Sequence, residues 1–253
     1  MITIRNMTLG SGRPKICVPL VSGTVEALQQ ECTSLGDCPL DMLEWRVDYL
    51  LKNQKVGIWE TELKTAYQTI RHYFPSTPLL TTIRTQSQGG EYVGDDREYA
   101  SFLSVLIRLG LADILDMEYG HEWVEMNALI KEAKAKHIPL LMSYHDFLGA
   151  MGEEEVIDTL KHMKSQGADI LKIAVMPKAA KDTAALMSGA AKVGDQYPGT
   201  PIITIGMGKM GQLTRIAGNT LGSPLTFAAG KEASAPGQLT AKEARTILDI
   251  LYK

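Results

Sequence analysis

The chain has 253 residues, 45% of them hydrophobic and 22% charged, with a formal net charge of −3, so it can bury a large core but carries no basic field to draw nucleic acid or an anionic membrane surface. Residues 1–12 lack the apolar core of a signal peptide, and no run approaches the roughly 18 apolar residues of a membrane span. The odd set Cys17, Cys32 and Cys38 has no metal-ligand spacing, which suits reduced thiols and predicts a soluble protein of the cytoplasm.

Along the chain, residues 3–9 with Gly10 and Ser11 read as an extra strand and turn, an N-terminal β-hairpin closing the bottom of whatever follows. Short apolar runs then recur at 15–21 (KICVPLV), 41–47 (DMLEWRV), 78–84 (PLLTTIR) and 112–118 (ADILDME). Four more stand at 138–145 (IPLLMSYH), 169–176 (DILKIAVM), 201–206 (PIITIG) and 224–229 (PLTFAA). Between them lie segments of helical spacing such as 124–136 and 153–166, the second opening on three acids and stopping at Gly167, as helix dipoles and C-caps favour. Near-continuous apolar strands alternating with amphipathic helices imply a parallel sheet covered on its outer face. Eight such units in about 250 residues predict one (β/α)₈ TIM barrel over residues 1–253, without a linker or low-complexity divider.

In such barrels the chemistry sits at the C-terminal ends of the strands. Lys172 lies inside DILKIAVM, and period-two alternation puts Ile170, Lys172, Ala174 and Met176 on one face. Neither face of a barrel strand readily accepts an unpaired ammonium, and desolvation makes a neutral amine available to attack a carbonyl. The competing reading is a structural ion pair. His145 ends the preceding strand, a neighbour suited to acid–base work. Glu44 and Arg46 share a face of the second strand, Arg84 closes the third, and Arg215 follows the seventh. Arginines at a barrel mouth suit a small oxyanion-bearing substrate, although Arg–Glu pairs would explain them too. Gly206, Gly208 and Gly211 match GxGxxG, but too little chain follows for the βαβ context of a dinucleotide site. No spacing of His72, His121, His137 or His162 suggests a metal, and core-edge ion pairs explain Asp48, Asp116 and Glu118 more simply than ligation. The stretch 231–238 (KEASAPGQ) reads as a lid or as an ordinary connection.

Taken together, the motifs EWRVD at 44–48, IRT…GGE at 83–91, SYHDF at 143–147, LKIAVMP at 171–177, GxxTRIAG at 211–218 and KEASAPGQ at 231–238 resemble those of the type I 3-dehydroquinate dehydratases, along essentially the whole chain. The resemblance implies a hydro-lyase of chorismate biosynthesis, needing no metal or organic cofactor. Its small-molecule substrate is 3-dehydroquinate, and a homodimer is expected. Lys172 would form an imine with the substrate ketone, and His145 would move the proton in a syn elimination of water. Arg215 would hold the carboxylate, with Glu44, Arg46, Arg84 and Met207 lining the pocket and Ser234 and Gln238 closing from the lid. Two residues depart from the family pattern. Pro19 stands where some relatives place serine. Gln88 stands where the family has the glutamate that assists the histidine; an amide orients a ring but lacks the charge. The sequence leaves open whether that glutamine is natural or introduced. Two alternatives stand beside this reading: another Schiff-base barrel enzyme such as a class I aldolase, and a binding-competent chain slowed or silenced at Gln88.

Overall fold

The computed structural model describes residues 1–52, 59–121, 124–218, 223–230 and 235–253. A small antiparallel hairpin, β1 (Ile2–Ile4) and β2 (Met7–Leu9), precedes the repeating units. The units then run β3 (Lys15–Leu20), α1 (Val25–Ser34), β4 (Met42–Arg46), α2 (Val47–Lys52), α3 (Trp59–Tyr73), β5 (Leu79–Thr82), α4 (Asp96–Leu109) and β6 (Ile114–Glu118). They continue α5 (Val124–Ala135), β7 (Leu140–Asp146), α6 (Glu153–Ser165), β8 (Ile170–Val175), α7 (Ala180–Gln196), β9 (Ile202–Gly206), α8 (Gln212–Ala217), β10 (Leu225–Phe227) and α9 (Ala241–Leu251).

The eight strands β3 to β10 form one parallel sheet in the order β10-β3-β4-β5-β6-β7-β8-β9. Its two ends meet at β9 and β10, where the Thr204 amide donates to Ser223 Oγ at 3.4 Å. This is the (β/α)₈ barrel that the alternation predicts. Because both strand faces are covered, the strands read as near-continuous apolar runs, and the core divides in two. Between sheet and helices lie Val18, Leu43, Trp45, Leu115, Met142, Leu171 and Ile173 with the helix faces. Inside the ring lie Cys17, Met42, Leu80, Ile114, Leu141, Ile170, Ile203 and Leu225.

The hairpin closes the bottom of that inner core, with Ile4, Met7 and Leu9 packed among these side chains. Its detail differs from the continuous strand over 3–9. The chain reverses in mid-segment, at Arg5, which takes a left-handed φ of 52°. Alternation continues across the reversal, so the pattern conceals it. The cost is offset by tertiary contacts: Arg5 Nε donates to Asp113 Oδ2 at 2.7 Å and Nη1 to the Pro75 carbonyl at 3.2 Å.

Helix α6 begins at the three acids and ends before Gly167, whose φ is 95°. The third barrel strand stops at Thr82, two residues short of Arg84, because the chain turns into a 3₁₀ segment at Gln86–Gln88.

Leu9 is fully buried in the plug. Leu9→Ala should therefore lower the unfolding free energy by about 3 kcal/mol in urea melts; a loss under about 1 kcal/mol would show that the hairpin is dispensable to the core.

Candidate active site

Strand register arranges the inward side chains in levels. Ser143 pairs with Lys172 and Lys172 with Ile203, while Glu44 pairs with Leu80 and Thr82 with Arg46. Above the apolar bottom the interior turns polar: Glu44, Arg46, Thr82, Arg84, Asp116, Glu118, Ser143 and Lys172 are all buried. A cavity opens there, lined by Glu44, Arg46, Arg84, Gln88, His145, Lys172, Met207, Arg215 and Gln238 among others. The mouth therefore gathers side chains from six of the eight barrel strands or the loops that follow them, residues far apart in sequence.

Lys172 stands at the centre, 3% exposed. Its Nζ is 4.0 Å from Glu44 Oε1 and sits over the Phe227 ring, 4.1 Å from the centroid. Burial pulls its pKa below the ordinary 10.5, and Arg84 adds to that pull; Glu44 and Asp116 act against it. At 4.0 Å the carboxylate is an electrostatic neighbour rather than a tight partner, which leaves the amine free to react. The small Ala174, two residues on, lines the cavity beside it.

His145 lies across the β7–β8 pairing, opposite Ala174. Gln88 holds it from the side. The Gln88 Oε1 accepts from the His145 backbone N–H at 2.9 Å and lies 3.3 Å from Nδ1, while Nε2 donates to the Tyr119 carbonyl at 3.1 Å. These backbone partners decide which end of the amide is oxygen, since an N–H needs an acceptor and a carbonyl needs a donor. An amide oxygen beside Nδ1 requires that this nitrogen carry the proton, so Nε2 is the basic nitrogen of the ring. Burial, with Arg84, Lys172 and Arg46 nearby, holds the His145 pKa well below 6.5. It is a neutral base over the physiological range.

The three arginines differ. Arg46 gives Nε and Nη2 to Asp48 as a fork, at 2.9 and 2.8 Å. Arg84 gives Nη2 to Asp116 at 2.6 Å and Nη1 to Glu118 at 2.8 Å and Ser143 Oγ at 2.9 Å. Both line the cavity, yet both already have carboxylate partners, as the ion-pair reading of Asp48, Asp116 and Glu118 anticipates. Arg215 has none among the described residues. It donates to the carbonyls of Phe227 and Pro236 at 3.3 and 3.0 Å, its Nε is buried and unbonded, and burial draws its pKa down to about 10. A buried guanidinium so placed is the natural seat for an incoming carboxylate.

The glycines of the GxGxxG stretch have a local reason. A Cβ on Gly211 would stand 2.1 Å from the carbonyl carbon of Gly206, so the turn into α8 crosses its own strand at backbone distance. That crossing delivers Arg215 to the mouth. Of the 231–238 stretch, Ser234 lies outside the described residues. Ala235 and Gln238 line the cavity, and the Pro236 carbonyl accepts from the Gly208 amide at 3.1 Å.

The sequence model of the family described as Type I 3-dehydroquinase matches residues 16–253. The chain belongs to that family. A 3-dehydroquinate dehydratase of Listeria welshimeri is 39% identical over 252 residues, covering 100% of this chain and 98% of the relative. One of Bacillus licheniformis is 36% identical with the same coverage. Among solved structures, the type I 3-dehydroquinate dehydratase of Clostridium difficile, determined with covalently modified comenic acid, superposes with a TM-score of 0.91 at 34% identity. That match covers 99% of this chain and 97% of the other. A 3-hexulose-6-phosphate synthase, at 16% identity and a TM-score of 0.59, shares the fold alone. As a member of the type I 3-dehydroquinase family the chain is an enzyme of the hydro-lyase class.

Several residues of the family cavity carry no catalytic signal in the sequence. Phe227 follows from alternation with Leu225 in the last strand, so its inward position was readable. The Tyr119 carbonyl that anchors Gln88 has no sequence signal, because any residue supplies one.

Because the native pKa of His145 lies below its unfolded value of about 6.5, the unfolded chain takes up the proton first as acid is added. The His145 contribution is thus neutral above pH 6.5 and destabilising below it. We expect urea stability to fall as pH drops from about 7 to 5, with a shallower fall in His145→Asn. A ring that titrates near 6.5 by ¹⁵N NMR in the native protein would contradict the geometry described.

Proposed function

We propose that this chain dehydrates 3-dehydroquinate to 3-dehydroshikimate through an imine on Lys172. The observation that carries the reading is the buried, desolvated Lys172 amine one strand from a neutral His145, with Arg215, which has no carboxylate partner among the described residues, across the same cavity. The neutral amine adds to the C3 carbonyl and the carbinolamine loses water to give an iminium. His145 Nε2 removes a C2 proton, and the C–H electrons pass into the iminium to give an enamine. Those electrons return as the C1 hydroxyl departs with the proton from His145, on the same face. Water then hydrolyses the product iminium and frees Lys172.

Arg215 receives the substrate carboxylate. Glu44, Arg46 and Arg84 face the ring, Met207 walls it, and Gln238 closes from beyond the last strand; the Ser234 expected beside it lies outside the described residues. The Clostridium difficile relative, solved with a covalently modified compound, supports covalent chemistry in this family. A cytoplasmic homodimer of the shikimate pathway fits the reading. Cys17, Cys32 and Cys38 are unpaired, which suits a reducing compartment, and no described helix is long and apolar enough to cross a membrane.

Gln88 favours a qualified second reading, a slowed enzyme. Its amide keeps the ring oriented, but it gives the imidazolium formed after proton abstraction no counter-charge.

Borohydride reduction in the presence of 3-dehydroquinate should add one product-sized mass to the peptide containing Lys172 and none to Lys172→Met. Labelling elsewhere, or none where an authentic relative is labelled, would remove the imine mechanism. Gln88→Glu should raise the His145 pKa and speed turnover roughly tenfold per pKa unit gained, while losing the Tyr119 bond at a cost of about 1 kcal/mol of stability. An unchanged rate with a raised His145 pKa would show that the glutamine does not slow the chemistry.

A further inference from the structure

The polar interior is anionic. Among the described residues, the carboxylates Glu44, Asp48, Asp116 and Glu118 face the guanidiniums Arg46 and Arg84. Arg46 and Asp48 neutralise one another as a fork. Arg84 stands between two acids, and the nearest polar partners of Glu44 among the described residues are the Thr82 hydroxyl and Lys172. Removing charged groups from water is costly unless a counter-charge meets them. Glu118 also lies 3.4 Å from His121 Nε2, so Glu44 is the carboxylate of this set that stands beside Lys172.

Asp116 is the least expected member of this set. It is fully buried, two residues before Glu118 on β6. Oδ1 accepts from Ser143 Oγ at 2.6 Å, and Ser143 is the register partner of Lys172. Oδ2 accepts from Arg84 Nη2 at 2.6 Å and more weakly from Thr82 Oγ1 at 3.4 Å. The same Thr82 hydroxyl is 3.0 Å from Glu44 Oε1, the atom nearest Lys172 Nζ. One hydroxyl thus lies between the two carboxylates, and a second joins Asp116 to the strand that carries His145.

We propose that Asp116 is a positioning residue for the imine chemistry: it fixes Arg84 and Ser143 against Lys172 and, together with Glu44, provides the buried negative charge that makes a cation at the lysine nitrogen tolerable. The proposal rests on the Lys172 reading above. It gives the two phases of the reaction their different requirements. Desolvation favours the neutral amine before attack, whereas the iminium formed afterwards is a cation that acts as an electron sink only while it keeps its N–H proton. Its charge is met by groups already in place, without reorganisation. The charged or titratable groups facing the nitrogen are Cys17 from β3, Glu44 from β4, Arg84 beyond β5, Asp116 from β6 and His145 from β7. Of these, Glu44 and Asp116 are the ones whose negative charge favours the cation.

The test is Asp116→Asn, which keeps shape and an acceptor for Ser143 but removes the charge. Two quantities are read in protein shown folded by circular dichroism: kcat, and the pH dependence of Lys172 labelling by borohydride with 3-dehydroquinate. Loss of a nearby negative charge destabilises the ammonium, so the labelling limb should move to lower pH. With less support for the iminium, kcat should fall roughly tenfold for each pKa unit of charge support removed, with KM changed less. A structural role alone would lower the folded fraction without moving the limb. An unmoved limb with unchanged kcat per folded molecule overturns the proposal. Should Asp116→Asn not fold, Ser143→Ala cuts the link while keeping every charge. It should lower kcat severalfold by loosening Arg84 and Asp116, and wild-type kcat in that variant likewise overturns the positioning role. Wild-type protein that is not labelled at Lys172 overturns the imine reading itself, before Asp116 enters.

Discussion

The constraint on which this protein depends is an amine held out of water inside a closed ring of strands. An ammonium in an apolar barrel is unfavourable, and a neutral amine in water is rare near neutral pH. The barrel interior resolves both. Burial and the Phe227 ring surround Lys172, while Glu44 stands near enough to temper the loss of solvation without capturing the nitrogen. The apolar lower level, sealed by Ile4, Met7 and Leu9, keeps water from reaching the lysine from below. The hairpin is thus linked to the chemistry through solvent exclusion, though it lies at the opposite end of the strands.

The division of labour among the arginines follows from the same electrostatics. Arg46 is held by Asp48 at the start of α2 and Arg84 by Asp116 and Glu118 of β6, so both are fixed positive walls of the cavity. Arg215 reaches the mouth from a helix after β9 and is satisfied by carbonyls only, among the described residues. Arg215 is therefore the cavity guanidinium with no carboxylate partner among the described residues. In the proposed reaction that asymmetry would orient the substrate before any bond is made, which is how binding energy becomes rate. His145 is ordered by a different device, an amide locked between two backbone groups. It sets the tautomer by hydrogen-bond geometry without adding charge to an interior already rich in acids.

Much of this was legible in the chain. The alternation of apolar runs and amphipathic segments specifies a covered parallel sheet, since only such strands are buried on both faces. Eight units in one domain's length leave little but a barrel. Period-two alternation then places Lys172 with Ala174, and Glu44 with Arg46, on shared faces, and strand adjacency brings His145 beside the lysine. Composition likewise says that basic residues act singly here. Motifs scattered from Glu44 to Gln238 point to one family because each marks a strand end or a following loop, the places a barrel gathers at one mouth.

What the linear chain leaves undecided is pairing across the ring. Whether an arginine meets a substrate or a carboxylate depends on which inward side chains share a level, and that level is fixed by the shear of the closed sheet. Arg84 reaches Asp116 and Glu118 from more than thirty positions away, and Gln88 reaches His145 across fifty-seven. The reversal at Arg5 was hidden for the same reason: the ion pair with Asp113 that offsets it comes from across the fold. The sequence by itself determined the barrel, its inward faces and the buried lysine, because these follow from local periodicity and from the cost of burying charge. Only the tertiary structure decided which charges cancel and which stay free, because that depends on distances of a few ångströms between strands that the chain order keeps apart.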